Sequence, residues 1–290
     1  AWAPYVWPIK SLMLIGILTR GEPLAIRLQK LIKRITKIEI PIGFVDITFH
    51  RDDFRTNLGS PKVGASKIMF EVEGKVILVT GGTRGIGLGI AKAFSEAGAK
   101  VFTCGRTVPA DDFPFEFFEG DVRDPGSAAG IINQVLDTGG RLDVLINNAG
   151  GGPPADAATA SPRFTESIIR LNLLAPLLMS QLAYEALRAS RGSIINIASV
   201  SAIRSSPGTM AYGAAKAGLL NATLSLAQEW GPDIRVNAII AGLIKTEASH
   251  EHYGGSEGMA RLEARLPAKR MGTPEDIASG IAFLCSEEAS

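Results

Sequence analysis

Apolar positions change their spacing along this chain. From residue 75 to 240, short β-branched and aliphatic runs alternate with stretches whose apolar residues recur every three or four positions. The runs, at 75–80, 99–104, 115–119, 143–147, 192–198 and 234–240, predict strands. The stretches at 86–97, 126–138, 164–187 and 212–230 predict helices. This alternation predicts an α/β fold, a Rossmann-type, doubly wound parallel sheet. Right-handed crossovers would place the strand ends along one crevice.

The first seventy residues follow a different pattern. Residues 12–18 read as a strand and Thr19-Arg20-Gly21 as a turn. Glu22 and Pro23 open a helix with Leu24, Leu28, Leu31, Ile32 and Ile35 on one face and Lys30, Lys33, Arg34 and Lys37 elsewhere on it. A second strand is expected within 40–49, then a polar, exposed loop over 51–66. This is a βαβ-like appendage of about 40 residues, too small to hold a good core by itself. The expected division is 1–73 as appendage and 74–290 as the doubly wound domain.

Composition adds exclusions. The chain has 290 residues, 46% hydrophobic and 20% charged, within the ordinary globular range. A net charge of +1 gives no global case for a nucleic-acid partner or an acidic membrane. Residues 1–70 carry 11 Lys/Arg against 5 Asp/Glu, so the remainder is mildly acidic. Two cysteines, Cys104 and Cys285, suggest a reduced, cytoplasmic setting rather than a disulfide framework, with Cys104 as a small core residue. No apolar run approaches the ~20 residues of a membrane span. Leu12 to Leu18 faintly resembles a signal-peptide core, but Arg20 and Glu22 interrupt it and no small-residue cleavage site follows.

The chemistry centres on Gly74 to Gly87, GKVILVTGGTRGIG. A β-branched strand, Val76 to Val79, runs into a glycine turn and then a helix, which is the context of a phosphate cradle. Glycines at 81, 85 and 87 permit the sharp turn and close backbone approach, and the first N–H groups of the helix point at an anion. Further along, Tyr212 and Lys216 stand one helical turn apart and share a face. An unperturbed phenol titrates near ~10, and a neighbouring ammonium would lower that value. Tyr212 could then act as general acid in carbonyl reduction or general base in alcohol oxidation.

Thr80-Gly81-x-x-x-Gly85-x-Gly87, Asn147-Asn148-Ala149-Gly150, Ser199 and Tyr212-x-x-x-Lys216 resemble the short-chain dehydrogenase/reductase superfamily over about residues 74–285. The resemblance implies an NAD(P)-dependent oxidoreductase with Asn172, Ser199, Tyr212 and Lys216 as its catalytic set. Ser199 would orient the substrate oxygen, Lys216 would also hold the nicotinamide ribose, and Asn172 would hold a relay water. Taken alone, Ser199 could equally cap a turn and Asn172 could equally bond backbone. The implied cofactor site comprises Gly81, Thr83, Arg84, Gly85, Ile86, Gly87, Arg106, Asp121, Val122, Asn148, Ala149, Gly150, Tyr212, Lys216, Gly242, Ile244 and Thr246. Where NAD-selective members place an acid, after the second strand of the domain, this chain has Gly105 and then Arg106. With Arg84, that favours NADP(H) over NAD(H), because guanidinium forks suit a 2′-phosphate.

Residues 151–163 form a loop of small residues, and the polar segment 245–271 would be a lid. A medium-sized ketone or secondary alcohol is expected as substrate, with a 3-oxoacyl thioester also open. The spacing of His250 and His252 could suggest a metal, but no acidic or cysteine partner pattern supports one, so no metal is expected. A homo-oligomer is compatible with the family. PEDIASGIAFLCSEEAS resembles the last long helix of the family, and the seventh strand that would follow it is missing. An N-terminal strand, 12–18 or 40–49, is expected to fill that edge.

A second resemblance covers about residues 11–79. LIGILTRGEPLA, EIPIGFVDITFHRDD and FEVEGKVILV resemble the N-terminal half of the pyrimidine-operon regulator/uracil phosphoribosyltransferase family. The acidic phosphoribosyl-pyrophosphate loop of that family is replaced here by TGGTRGIG, so no transferase activity is expected. Arg20, Arg51, Asp52 and Asp53 would be solvated loop charges or remnants of a substrate or RNA surface. The alternative to an active oxidoreductase is therefore a catalytically incomplete fusion that keeps nucleotide or RNA binding.

Overall fold

A computed structural model describes residues 14–17, 21–37, 42–45, 72–286 and 289. The loop 51–66, the charges Arg20, Arg51, Asp52 and Asp53, and the side chain of His252 lie outside the described residues. The chain forms two compact units, one of residues 1–69 with 254–271 and one of residues 70–253 with 272–290.

In the first unit, β1 (Leu14–Ile17) and β2 (Ile42–Val45) pair in parallel, Leu14 opposite Ile42 and Ile17 opposite Val45. The helix between them, α1 (Gly21–Thr36), lies against this pair. The sequence put one of these strands beside the last strand of the large sheet, and that expectation is corrected. The crossover through α1 brings the two strands to each other, so each satisfies an edge of its partner.

The second unit holds a six-stranded parallel sheet. Its strands are β3 (Val76–Thr80), β4 (Lys100–Gly105), β5 (Glu116–Glu119), β6 (Val144–Asn147), β7 (Ser193–Ser199) and β8 (Arg235–Ala241), in the order β5-β4-β3-β6-β7-β8. The order reverses at β3, between β4 and β6, which opens a crevice at the carboxyl ends of these strands. β3 is buried throughout, so it reads as a continuous apolar run rather than an alternating one. Leu78 packs on one side of the sheet with Phe102, Ile131, Leu145 and Met179. Ile77 and Val79 pack on the other with Ile90, Phe94, Ile197 and Ile281. Cys104 and Cys285 are both free and buried in these cores. At the base of the sheet the Val76 N–H donates to Asp143 Oδ2 at 2.8 Å, and Arg141 pairs with the same carboxylate.

The helices begin where local chemistry directs. α2 (Gly85–Glu96) follows the glycine turn. α3 (Pro125–Gly139) starts with Asp124 accepting the Ser127 N–H at 2.8 Å and ends at left-handed Gly140. The stretch 164–187, expected as one helix, is divided into α4 (Pro162–Ile169), a π-turn (Arg170–Leu174), α5 (Ala175–Leu182) and α6 (Tyr184–Ser190). Pro176 supplies the reason for the π-turn: it has no N–H for the Asn172 carbonyl, and its ring crowds that carbonyl. α7 (Met210–Trp230) runs unbroken. The segment read as a lid contains α8 (Ser249–His252) and, in the first unit, α9 (Gly255–Arg265). α10 (Pro274–Cys285) opens on a capping box between Thr273 and Asp276. Among the described residues no strand pairs with the outer edge of β8, and no helix is long and apolar enough to cross a membrane.

Candidate active site

Every sequence-predicted site residue falls in the second unit, and most lie at or just beyond the carboxyl ends of its strands. At the end of β3, Gly81 and Gly85 take left-handed φ values of 66° and 57°. Gly87 is required for packing: a Cβ there would stand 2.4 Å from both Asn148 Nδ2 and Gly81 O. Thr80, quoted in the motif without a role, holds this turn to the end of β6. Its Oγ1 accepts the N–H groups of Asn148 and Ala149, each at 3.0 Å, and donates to Ile146 O. Asn148 returns the contact through Nδ2, which donates to Thr80 O at 2.9 Å and Gly81 O at 3.1 Å. Its side chain braces the glycine turn.

Arg84 occupies the N-cap of α2 without offering a side-chain acceptor. The Gly85 N–H donates instead to Glu247 Oε1 at 2.7 Å, across 162 positions of sequence. A carboxylate thus stands where an anion is expected, which shows that this N–H is available to an oxyanion. Thr246 lies beside it, with Cγ2 3.6 Å from where a Cβ on Gly85 would be. Ile244 bridges to Gly272, and Gly242 has open space around it. Thr83 borders Gly105, while Ile86 packs into the core under the turn.

The other end of the crevice is basic. Gly105 closes β4, and Arg106 and Arg84 are both exposed. Asp121 is held below the usual carboxylate range, mainly by its hydrogen bond with Arg123 and with a smaller contribution from Arg106. Arg123, which the sequence reading missed, therefore engages the carboxylate of Asp121. Val122 is buried in the core rather than facing solvent.

The candidate catalytic residues converge. Ser199 ends β7, and its Oγ accepts the Ser201 N–H at 3.2 Å, so it does cap a turn. It also acts on Tyr212, favouring the ionised phenol. Lys216 is only 3% exposed. Its Nζ donates to Ile197 O at 2.7 Å and sits 5.7 Å from the Tyr212 ring centre. Burial brings its pKa down from 10.5 to about 8. Tyr212 departs from expectation: burial raises its pKa, and Ser199 pulls only partly the other way. A phenol removed from water resists ionisation more than the Lys216 charge at this distance relieves it.

Asn172 is fully buried in the π-turn, and its amide is spent on backbone. Oδ1 accepts the Gly151 N–H at 2.9 Å, and Nδ2 donates to Gly151 O at 2.8 Å and Ile168 O at 2.9 Å. It fastens the loop after β6 to the π-turn. A Cβ on Gly150 would stand 2.8 Å from Asn172 Oδ1 and 3.3 Å from Lys216 Nζ, so the two side chains meet at this glycine. Beside Tyr212 is a shallow, open recess lined by residues that include Pro153, Ala157, Phe164, Ile168 and Met210, none of them charged. Among the described residues no group of three or more His, Cys, Asp or Glu is placed to hold a metal.

These features define a dinucleotide-dependent oxidoreductase, and the comparisons agree. The family described as enoyl-(acyl carrier protein) reductase matches residues 81–290, and the chain belongs to the short-chain dehydrogenase/reductase superfamily. It is 37% identical to protein FixR of Bradyrhizobium diazoefficiens, over 75% of this chain and 82% of that protein. It is 36% identical to a probable 2,4-dienoyl-CoA reductase of Bacillus subtilis, over 76% and 92%. The ligand-free structure of Thermoplasma acidophilum aldohexose dehydrogenase superposes with a TM-score of 0.72 at 31% identity, covering 76% of this chain and 90% of that one. The expected phosphoribosyltransferase-like half gains no support from these matches, and neither does an early stop.

Proposed function

We propose that the chain moves hydride between NADP(H) and a ketone or secondary alcohol, with Tyr212 as the general acid–base. The observation that carries this reading is the meeting of Ser199, Tyr212 and buried Lys216 beside an uncharged recess. The glycine turn suits the cofactor: its first helical N–H already binds a carboxylate, and the surface at Gly87 tolerates no side chain. Gly81, Gly85, Ile86 and Gly87 would hold the diphosphate, Thr246 and Ile244 would border the nicotinamide, and Asp121 would lie towards the adenine. When bound, the nicotinamide supplies or accepts the hydride.

In reduction, the Tyr212 hydroxyl gives its proton to the substrate oxygen, and in oxidation it takes one. Ser199 donates to that oxygen and orients it. Lys216, charged below about pH 8, stabilises the phenolate that forms and replenishes its proton. Asn172 holds the Gly151 wall of that path. The recess beside Tyr212 suits a substrate whose carbonyl is flanked by an apolar group. Exposed Arg84 and Arg106 support NADP(H) over NAD(H). Two free, buried cysteines support a reducing, cytoplasmic location.

The test follows NADPH consumption by the purified chain on a panel of apolar ketones, beside Tyr212→Phe. The variant is expected to lose roughly 10²–10⁴-fold in kcat/KM, with the cofactor Kd little changed. Cofactor binding without turnover of any carbonyl by the parent chain would refute the reading. It would favour the catalytically incomplete fusion instead.

A further inference from the structure

We propose that Glu247 is an internal anion that occupies part of the diphosphate seat at the start of α2 and thereby weakens dinucleotide binding. The inference rests on the cofactor reading above. α2 begins Gly85-Ile86-Gly87 with no acidic residue in its first turn, and its N-cap, Arg84, offers no side-chain acceptor. Its first N–H groups therefore take their acceptors from outside the helix. Glu247 provides one, at a charge-assisted hydrogen-bond length of 2.7 Å to Gly85 N.

The contact is built rather than incidental to a free chain end. Ser249 Oγ accepts the Thr246 N–H at 2.8 Å and pins the turn that carries Glu247. The Thr246 methyl packs towards Gly85 from the same side. A diphosphate needs the same N–H groups and brings at least two negative charges of its own. On cofactor entry, Glu247 either gives up Gly85 or stays beside the diphosphate and repels it. Both outcomes cost affinity, so neutralising the side chain should tighten binding. A purely structural latch, drawing the 244–249 segment over the cofactor, would do the opposite.

The experiment is fluorescence titration of NADPH and NADH against the full chain and Glu247→Gln. The variant keeps the shape and an acceptor oxygen but loses the charge. Kd is expected to fall roughly two- to fivefold, as befits an exposed charge at a helix N-terminus. The factor should be the same for both cofactors, because they share the diphosphate. Faster hydrogen exchange at the Gly85 amide of the cofactor-free variant is the accompanying readout. An unchanged or higher Kd, or tightening confined to NADPH, overturns the proposal while leaving the oxidoreductase reading intact. If neither chain binds either dinucleotide, the cofactor reading fails and this proposal fails with it.

Discussion

Replacing Lys216 by Met isolates the consequence of burying its ammonium. Lys216 is 3% exposed and titrates at about 8 in the folded chain, against about 10.4 when unfolded. Between those values the unfolded chain binds a proton that the folded chain has released. Unfolding then takes up a proton, so raising the pH opposes unfolding and stability increases. The cost of the buried charge is fully present below about pH 8 and is relieved above about pH 10.4. A gap of somewhat over two pKa units corresponds to about 3 kcal/mol.

Other groups act in the opposite direction. Burial pushes the thiols of Cys104 and Cys285 up to about 12 and also raises Tyr212 and Tyr253, so the unfolded chain releases those protons first. Lys216→Met cancels these shared contributions. Urea unfolding of both chains at about pH 7.5 and about pH 10.5 should show wild-type stability rising relative to the variant by about 3 kcal/mol. The same titration should make kcat/KM of the parent chain fall above about pH 8 as the ammonium is lost. A wild-type-to-variant difference constant to within about 0.5 kcal/mol between the two pH values would refute the burial argument.

Gly87→Ala drives a methyl to 2.4 Å from a backbone carbonyl and from the pinned Asn148 amide. Overpacking with loss of Asn148 bonds should cost about 3 kcal/mol and lower Tm by roughly 6–12 °C in a thermal melt. Gly130→Ala, inside α3 with nothing within 4 Å of the new Cβ, should instead raise Tm by a few degrees. Arg106→Ala should weaken NADPH binding about tenfold and leave NADH unchanged in parallel titrations. Equal loss for both cofactors would remove the argument for a 2′-phosphate contact.

Much of the large sheet was legible because its central strands β3, β6 and β7 are buried on both faces. β3 to β8 fall within a residue of the apolar runs, since a parallel strand under helices needs no polar alternation. The helical stretch 164–187 was less legible. Its periodicity continues across Pro176, while the π-turn depends on where a missing N–H leaves the Asn172 carbonyl. The edge of β8 was misjudged because an apolar strand pattern does not name its partner, and β1 and β2 chose each other.

The sequence by itself determined the chemical inventory: a glycine turn after a buried strand, Tyr212 and Lys216 one turn apart, and Ser199 at a strand end. These rest on local spacing, which the periods of helix and strand translate directly into shared faces. Tertiary structure alone decided how those groups behave. It removed Tyr212 and Lys216 from water, so the phenol rose and the ammonium fell, because desolvation depends on neighbours from distant segments. It spent the Asn172 amide on Gly151, and the Asn148 amide on the turn of Thr80 and Gly81. It also carried Glu247 across 162 residues to a helix start that lacked an acceptor of its own.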